Sequence, residues 1–515
     1  MISRSLDDHL PSSSTAPHPL QRNLAPHLHP FQKPREYARA MTAVKIDRMF
    51  AKPFVDALGG HQDGVYCLGK DSRRVGIVAG GGGDGEVIVH SLTLRRPLLK
   101  IPHAHKGLVG GICWSSEQHD GRRSMITAGK LDGNIKLWRS SAFTPGQKSS
   151  FRGSEFASGS GNQEILDSTG AIGENGLNFD EDDAGEYDDG EGEDGEEGGG
   201  LNIDSKARDE LGEKLEPKMV WTNKNGFNGI DHHRTDGVFA TASNTVQIWD
   251  ETRSAPLSNL QFGSSMETVN KVRFNQSETS VLASVGNDRT MCLYDIRTGK
   301  AERRIVMQFV SNAISWCPTL PTTMLLASED HNLYTFDIRN LNSPSQIYKG
   351  HVGGVMGCDW SPTGEEFVSG SYDRTVRLWN RETGKSRDVY HTKRMQRVFD
   401  VTYTPTADFV LSASDDGNVR IWKSNASQKL GPVSTKERQA IEHRQKLIER
   451  YSTEKGVKSI KDRRHVPQSI HNATKLKRDM IESRKVKEDR RRDHSRAGRE
   501  KPKAERKKAV IVEQK

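Results

Sequence analysis

Between residues 348 and 424 apolar and polar positions alternate in short runs, each cut off by turn-forming residues. YKGHVGGVMGCDWSPTGEEFVSGSYDRTVRLWN (348–380) breaks at Ser-Pro and Thr-Gly, and YHTKRMQRVFDVTYTPTADFVLSASDDGNVRIWKS (390–424) repeats the layout with Asp-Gly. Period-two alternation bounded by such residues predicts half-buried strands joined by tight turns. The closing tryptophans, Trp379 and Trp422, stand 43 residues apart. The same place is held upstream by Phe336 in LYTFDIR, Tyr294 in CLYDIR, Trp249 in VQIWD, Trp138 in IKLWR and His90 in GDGEVIVH. Successive separations are 42 to 48 residues, except for 111 between Trp138 and Trp249. Removing about 65 inserted residues from that gap restores the period and leaves seven units.

Seven such units resemble the WD40 β-propeller, in which each blade is a four-stranded sheet around a central channel. The expected architecture is all-β: a seven-bladed WD40 propeller over 51–424, an N-terminal extension over 1–50, an insertion over 151–218, and a basic helical region over 425–515 ending in a disordered tail. The resemblance implies a structural hydrogen-bond network of His351, Ser369, Asp373 and Trp379 in one unit, and of His391, Ser412, Asp416 and Trp422 in the last. An Asp–His pair can also be read as catalytic. Its recurrence at equal spacing with no accompanying nucleophile favours a structural device, because a buried carboxylate needs partners. Asp84, Asp132, Asp288 and Asp330 correspond to Asp373, whereas the third unit has Ser243 and the fifth begins FVSNAISW without Gly-His. The stretch AKPFVDALGGH (51–61) precedes the first inner strand and is expected to complete the last blade, closing the ring and covering a sheet edge.

After Trp422 the pattern turns helical. Ser434 with Glu437 forms a candidate capping box for STKERQAIEHRQKLIERYSTEK, with Ile441, Leu447, Ile448 and Tyr451 on one face. A second helix is expected after Pro467, with Ile470, Ala473, Leu476 and Met480 as a narrow apolar stripe that packs on something. Lys475, Lys477, Arg478, Arg484, Lys485 and Lys487 are expected opposite that stripe. RRRDHSRAGREKPKAERKK, from Arg490, has almost no apolar content and is expected to order only on binding a phosphate backbone. A nuclear-import patch or a solvated tail is the plainer reading of such a run. The tail lacks interleaved aromatics, which disfavours base stacking and favours contact with folded RNA backbone.

The formal net charge of +8 conceals two opposed fields. Residues 180–197 hold twelve acidic side chains in eighteen, whereas 431–515 carry 27 Lys plus Arg against 13 Asp plus Glu. The acidic segment reads as a solvated loop between blades, or as a competitor for basic proteins or for the chain's own tail. Cys67, Cys113, Cys292, Cys317 and Cys358 are odd in number and show no metal-ligand spacing, which suits a reducing compartment. No run of apolar residues is long enough for a membrane span, and Asp7 and Asp8 interrupt any signal core. The glycines of AGGGGDGE (79–86) lack the order of a phosphate loop, and no HExxH or nucleophile elbow occurs, so neither catalysis nor a cofactor or metal is expected.

Two stretches outside the repeats carry a more specific resemblance. RRHVPQSIHNATKLKR (463–478), with the charged run through Arg492, resembles the C-terminal segment of the Sof1 family of WD-repeat proteins. RNLAPHLHPFQKPREYARAMTAVKIDRMFAKPFVDALGGHQDGVY (22–66) resembles that family's lead-in to its first blade, although Gly59-Gly60-His61 has one aromatic fewer and residues 1–21 have no counterpart. The resemblance implies a nuclear, nucleolar, non-catalytic scaffold of the U3 small nucleolar ribonucleoprotein within the small-subunit processome. Its work there would be pre-18S rRNA processing and 40S subunit assembly, as one copy among U3 snoRNA, pre-ribosomal RNA and processome proteins. Joined to the basic helical pattern, this gives the expectation of RNA contact by Arg463, Arg464, Lys475, Lys477, Arg478, Arg484, Lys485 and Lys487, with His465 and Pro467 fixing the start of the helix. Animal relatives are further described as substrate adaptors of a cullin-4 ubiquitin ligase. YDIR (294–297) and FDIR (336–339) are the candidate features for that role.

Overall fold

The computed structural model describes residues 30–115, 124–139, 216–261, 268–496 and 504–514. The acidic run and most of the expected insertion, residues 151–215, lie outside the described residues, as do residues 1–29. The remainder folds into seven antiparallel sheets whose strands follow one another in chain order: 65–101, 109–222, 229–260, 269–307, 311–349, 355–390 and 398–423, numbered here as blades 1 to 7. All seven closing residues, His90 through Trp422, occupy the third strand of their blades, directly opposite the second strand. Blade 3 forms despite Ser243, and blade 5 forms without Gly-His.

The core lies between blades rather than within them. Met291, Leu293 and Ile305 of blade 4 pack with Trp316, Met324 and Phe336 of blade 5, and Leu325, Leu333 and Tyr348 of blade 5 pack with Trp360, Phe367 and Trp379 of blade 6. Each sheet thus buries both faces on its neighbours, which explains why the second strands are short, small and apolar (IVAGGG, ITAG, LASVG, FVSGS). Gly81 shows the limit of that packing: a Cβ there would lie 2.6 Å from Cys67 Sγ and 2.8 Å from Val109 Cγ1. All five cysteines are free and buried, and burial pushes the Cys67 thiol up to about 12 and Cys292 to about 11, so both are neutral packing groups.

The ring is closed by the strand Phe54–Leu58, which pairs with Val419–Lys423 as the outer strand of blade 7, in the register Phe54↔Trp422 and Leu58↔Val419. The Phe54 ring meets Trp422 edge-on at 5.6 Å, and Lys423 N–H donates to the Pro53 carbonyl at 2.8 Å. Before this strand stands a helix that the alternation pattern did not announce, α1 (Gln32–Met49).

In blade 6 a hydrogen-bond chain runs from the third strand to the surface turn. Trp379 Nε1–H donates to Ser369 Oγ at 2.7 Å, Ser369 Oγ is 2.7 Å from His351 Nε2, and His351 Nδ1 is 2.8 Å from Asp373 Oδ2. Burial pushes the His351 pKa down, despite the pull of Asp373. Burial also opposes ionisation of Asp373, but the adjacent imidazole and its hydrogen bonds hold that carboxyl below its usual range. A neutral imidazole donating from Nδ1 to an ionised carboxylate, and accepting the Ser369 hydroxyl at Nε2, satisfies every member. Blade 2 builds the same chain with threonine: Trp138 to Thr127 at 2.9 Å, Thr127 to His105 at 2.8 Å, and His105 to Asp132 at 3.0 Å.

Blade 7 differs from the expected set. Trp422 Nε1–H donates to Ser412 Oγ at 2.8 Å, but Asp416 is held by the buried Arg420, and His391 stacks on His465 at 5.3 Å with planes 3° apart. Spacing is the reason. His61, His105 and His351 each precede their inner strand by four residues, whereas His391 precedes Val398 by seven. The additional residues carry His391 away from the blade, and arginine takes over the carboxylate. Blade 1 departs in another way. His61 has the right spacing, but Gly80 and His90 stand where blade 6 has Ser369 and Trp379. Neither His61 nor His90 finds a hydrogen-bond partner among the described residues.

Two outcomes are expected. His351→Ala removes one donor from the buried Asp373 carboxylate, which keeps the N–H groups of Val352 and Thr375, and should cost about 1.5–3 kcal/mol, whereas His391→Ala should cost less than about 1 kcal/mol; denaturation midpoints measured side by side distinguish them. Burial lowers the pKa of both His61 and His90 to about 4. The unfolded chain takes up these two protons near pH 6.5, before the native state does, so stability is full above that pH and falls as pH drops from about 6.5 to 4. His90→Phe should shallow that dependence of the melting temperature.

Candidate nucleic-acid interface

The closing strand brings the two flanking regions together. Beyond blade 7 run α2 (Thr435–Arg450), α3 (Lys455–Lys461) and α4 (Gln468–Asp493). Ser434 caps α2, with Glu437 N–H donating to its Oγ at 3.3 Å; the Glu437 carboxylate turns instead to Lys429 Nζ at 3.1 Å, so only half of the expected box forms. Leu447, Ile448 and Tyr451 pack against Tyr37, Ala40, Met41 and Val44 of α1, together with Val457 and Ile460 of α3. Tyr451 O–H donates to Glu36 Oε2 at 2.9 Å, and Arg450 lies 3.0 Å from the same oxygen. Arg48 at the end of α1 joins Asp388 on the outer strand of blade 6, at 3.2 Å, to the carbonyl of Lys461.

That junction sets the course of α4. Arg464 Nε–H donates to the Arg387 carbonyl at 3.0 Å and its NH1 to the Asp462 carbonyl at 2.7 Å. His465 stacks on His391, Pro467 takes the N-cap position, and Ile470 is buried. Lys477 Nζ donates to the His351 carbonyl at 3.1 Å, and burial pushes its pKa down. Both contact points, His391 and His351, precede inner strands, so α4 lies at the face of the ring where those strands begin.

The eight expected RNA-contacting residues therefore separate into two groups. Arg464 and Lys477 are docking residues, each donating to propeller or local carbonyls; a fixed cation at 100° per residue cannot serve both sides of a helix. Arg463, Lys475, Arg478, Arg484, Lys485 and Lys487 are exposed, Arg478 with a loose contact to Glu482 at 3.7 Å. From Arg478 to Glu488 every side chain is exposed, so this part of α4 stands clear of the ring. The expected apolar stripe is accordingly packed only at its start: Leu476 is 63% and Met480 51% exposed.

The tail also differs from expectation. Residues 497–503 lie outside the described residues, but a short helix, Glu505–Lys508, follows, and the strand Val510–Gln514 pairs antiparallel with the outer strand of blade 4, Val512 opposite Val306 and Gln514 opposite Arg304. Ala509 is buried in the layer between blades 4 and 5, and Lys349 and Gln346 of blade 5 hold Glu505 and Arg506. The signal lay in AVIVEQ (509–514), a β-branched run just after the last basic cluster. An edge strand accepts such a segment because its outward N–H and C=O groups need partners. The basic helix is thus tethered at both ends, with Lys508 3.4 Å from Glu488 near the far tether.

Residues 424–510 match the Sof1-like domain, and residues 342–380 and 386–423 match the WD domain, G-beta repeat. The chain is 35% identical over 512 residues, 99% of its length and 98% of the relative's, to the DDB1- and CUL4-associated factor 13 of Xenopus laevis. It is 36% identical over 498 residues to the factor of that name in Danio rerio, covering 97% of this chain and 95% of that one. It is 35% identical over 494 residues to Protein SOF1 of Saccharomyces cerevisiae, covering 95% of this chain and 89% of that protein. The chain belongs to the Sof1 family. It is a non-catalytic WD-repeat scaffold, and the two units matching the repeat are blade 6, with the complete hydrogen-bond chain, and blade 7. Among the described residues no His, Cys, Asp and Glu group could hold a metal ion, and no helix is long and apolar enough to cross a membrane.

Removing residues 509–514 should leave the propeller melting transition in place while raising the rate of tryptic cleavage within Arg484–Arg492 on the order of tenfold, because a helix with one tether frays from its free end. Cleavage at the parental rate would mean that the first tether alone holds α4.

Proposed function

We propose that this chain is a scaffold of the U3 small nucleolar ribonucleoprotein within the small-subunit processome, working in the nucleolus on pre-18S rRNA processing and 40S subunit assembly. The observation that carries this reading is the segment of α4 from Arg478 to Glu488, exposed on all sides and held at both ends on a rigid ring. Lys475, Arg478 and Lys485 fall on one arc of this helix, about 60–140° around from Ile470, whereas Arg484 continues the line of Ile470 and Lys477 and Lys487 lies on the other flank. A tethered rod with cations on its open arc suits a folded phosphate backbone of U3 or pre-ribosomal RNA, where contacts position the RNA without reading its sequence. The ring supplies further surface for processome proteins.

A second reading, substrate adaptor of a cullin-4 ubiquitin ligase, is favoured by the name of the vertebrate relatives, DDB1- and CUL4-associated factor 13. It also has a local feature in its support. Asp295 and Asp337 accept the N–H of Arg297 and Arg339 at 2.9 and 3.0 Å, and both arginines are exposed at adjacent blade corners.

In-cell ultraviolet crosslinking of the full chain should recover pre-18S or U3 RNA. The triple variant Lys475→Glu, Arg478→Glu, Lys485→Glu should lose those reads while keeping the parental melting temperature. In vitro, its log affinity against log salt should flatten by roughly 2 to 3 units of slope, one for each lost phosphate contact. Unchanged reads in the triple variant would retire the α4 assignment. A copurifying ligase core without pre-ribosomal factors would favour the second reading.

A further inference from the structure

The inner strands of blades 1, 2, 4, 5, 6 and 7 each carry an irregularity one residue after they begin. The residues so displaced are Tyr66, Gly110, Asn270, Asn312, Met356 and Phe399. A bulge lifts its residue out of the ladder and re-aims the side chain, here across to a neighbouring blade at the mouth of the channel. On one side of the mouth these residues are amides whose donors are used: Asn270 Nδ2 donates to the Ser311 carbonyl at 3.3 Å and Asn312 Nδ2 to the Val355 carbonyl at 3.0 Å. On the other side they are aromatic. Tyr66 stacks on Phe399 with centroids 4.3 Å apart and planes 19° apart, and Tyr372, from the turn after the second strand of blade 6, meets Phe399 edge-on at 6.0 Å.

Two carboxylates and one guanidinium surround these rings. Asp63 and Asp415 are both exposed, and neither has an ion-pair partner among the described residues. Asp63 Oδ1 accepts the N–H of Gly64 at 2.7 Å. Both carboxylates lie close enough to Tyr66 to reinforce the upward shift that burial imposes on its phenol. Arg397 already rests over the Tyr372 ring, 5.6 Å from its centroid, so this wall holds a guanidinium on an aromatic face within the molecule itself.

We propose that the channel mouth on the face where the inner strands begin is a docking site for an arginine side chain of a protein partner, seated against the Tyr66–Phe399 stack with Asp63 and Asp415 as counter-charges. Aromatic faces attract cations, and two carboxylates without ion pairs add long-range attraction for a basic segment. The same carboxylates repel phosphate, which argues against a nucleotide base on this stack although aromatics alone would suit one. The site is independent of the basic arc of α4, since its charge has the opposite sign.

The test uses the full chain with a benzoylphenylalanine photo-crosslinker in place of Met356, which confines the readout to the mouth. The probes are a synthetic peptide of alternating glycine and arginine, the same peptide with citrulline, and a uridine oligonucleotide. The arginine peptide should crosslink, with yield falling about tenfold or more, a difference of about 1.4 kcal/mol in binding, on replacing arginine by citrulline. Asp63→Asn with Asp415→Asn should cause a similar loss at an unchanged melting temperature, because the amides keep the shape and the Gly64 contact. No crosslink, equal yields for the two peptides, or an unchanged yield in the double variant would each overturn the proposal. A uridine crosslink stronger than that of the arginine peptide would overturn it in favour of single-stranded RNA.

Discussion

The pairing of Phe54–Leu58 with Val419–Lys423 is the constraint on which the rest of the molecule depends. Each blade buries both of its sheet faces against neighbours, so an open ring would leave two of them uncovered and one edge unpaired. Joining the first strand of the domain to its last sheet removes that seam. It also sets where the flanking segments begin. Because residues 54 and 422 face each other, α1 arrives and α2 departs at one place, and the apolar faces of these two helices find each other there. Neither helix would bury much surface alone, and each gains its packing partner from ring closure.

From that platform the course of the basic region follows step by step. Arg48 ties α1 to blade 6 and to the end of α3, Arg464 and His465 continue the contact, and Lys477 fastens α4 beside His351. The far tether is of another kind, since the terminal strand satisfies the outward edge of blade 4. A helix with so few apolar residues cannot hold itself to the ring along its length, and it is held at its ends instead. Between the tethers Arg484, Lys485 and Lys487 are exposed and can meet another molecule.

The two ends of the channel are unlike. At the face that carries α4, bulged aromatic residues and two carboxylates rim the opening. At the opposite face, where inner strands end, lies a cavity of about 440 Å³ lined by Trp114, Trp316 and Trp360 and crossed by ion pairs. There Lys70 meets Asp359, Arg273 meets Asp231 at 3.0 Å, and Asp400 accepts the Leu68 N–H at 3.1 Å, so blade 1 is joined to blades 6 and 7, and blade 4 to blade 3. Opposite charges there satisfy one another, whereas Asp63 and Asp415 at the α4 face have no ion pair among the described residues. A scaffold with chemically distinct faces can hold different partners in a defined relation.

Repeats, turn residues and closing aromatics determined the propeller, its seven blades and its closing strand by themselves, because blade packing is local and each unit carries its own pattern. The stretches outside the repeats, 22–66 and 463–478, determined the family. Other features waited for the tertiary structure, and each for a physical reason. Trp422 and Ser412 find each other at a fixed spacing, but three additional residues before Val398 move His391 out of its network and onto His465. Lys477 and Lys475 are equivalent as charges in the chain, and only the docking direction of α4 makes one a tether and leaves the other exposed. The strand at 510–514 is too short to be distinguished from a tail until an unpaired edge is known to lie within its reach. Tyr66, Tyr372 and Phe399 are separated by 306 and 27 residues in sequence and form one surface only because the ring closes between blade 7 and blade 1. Periodicity along the chain decides local structure, and the partner that each exposed side chain meets is decided by closure.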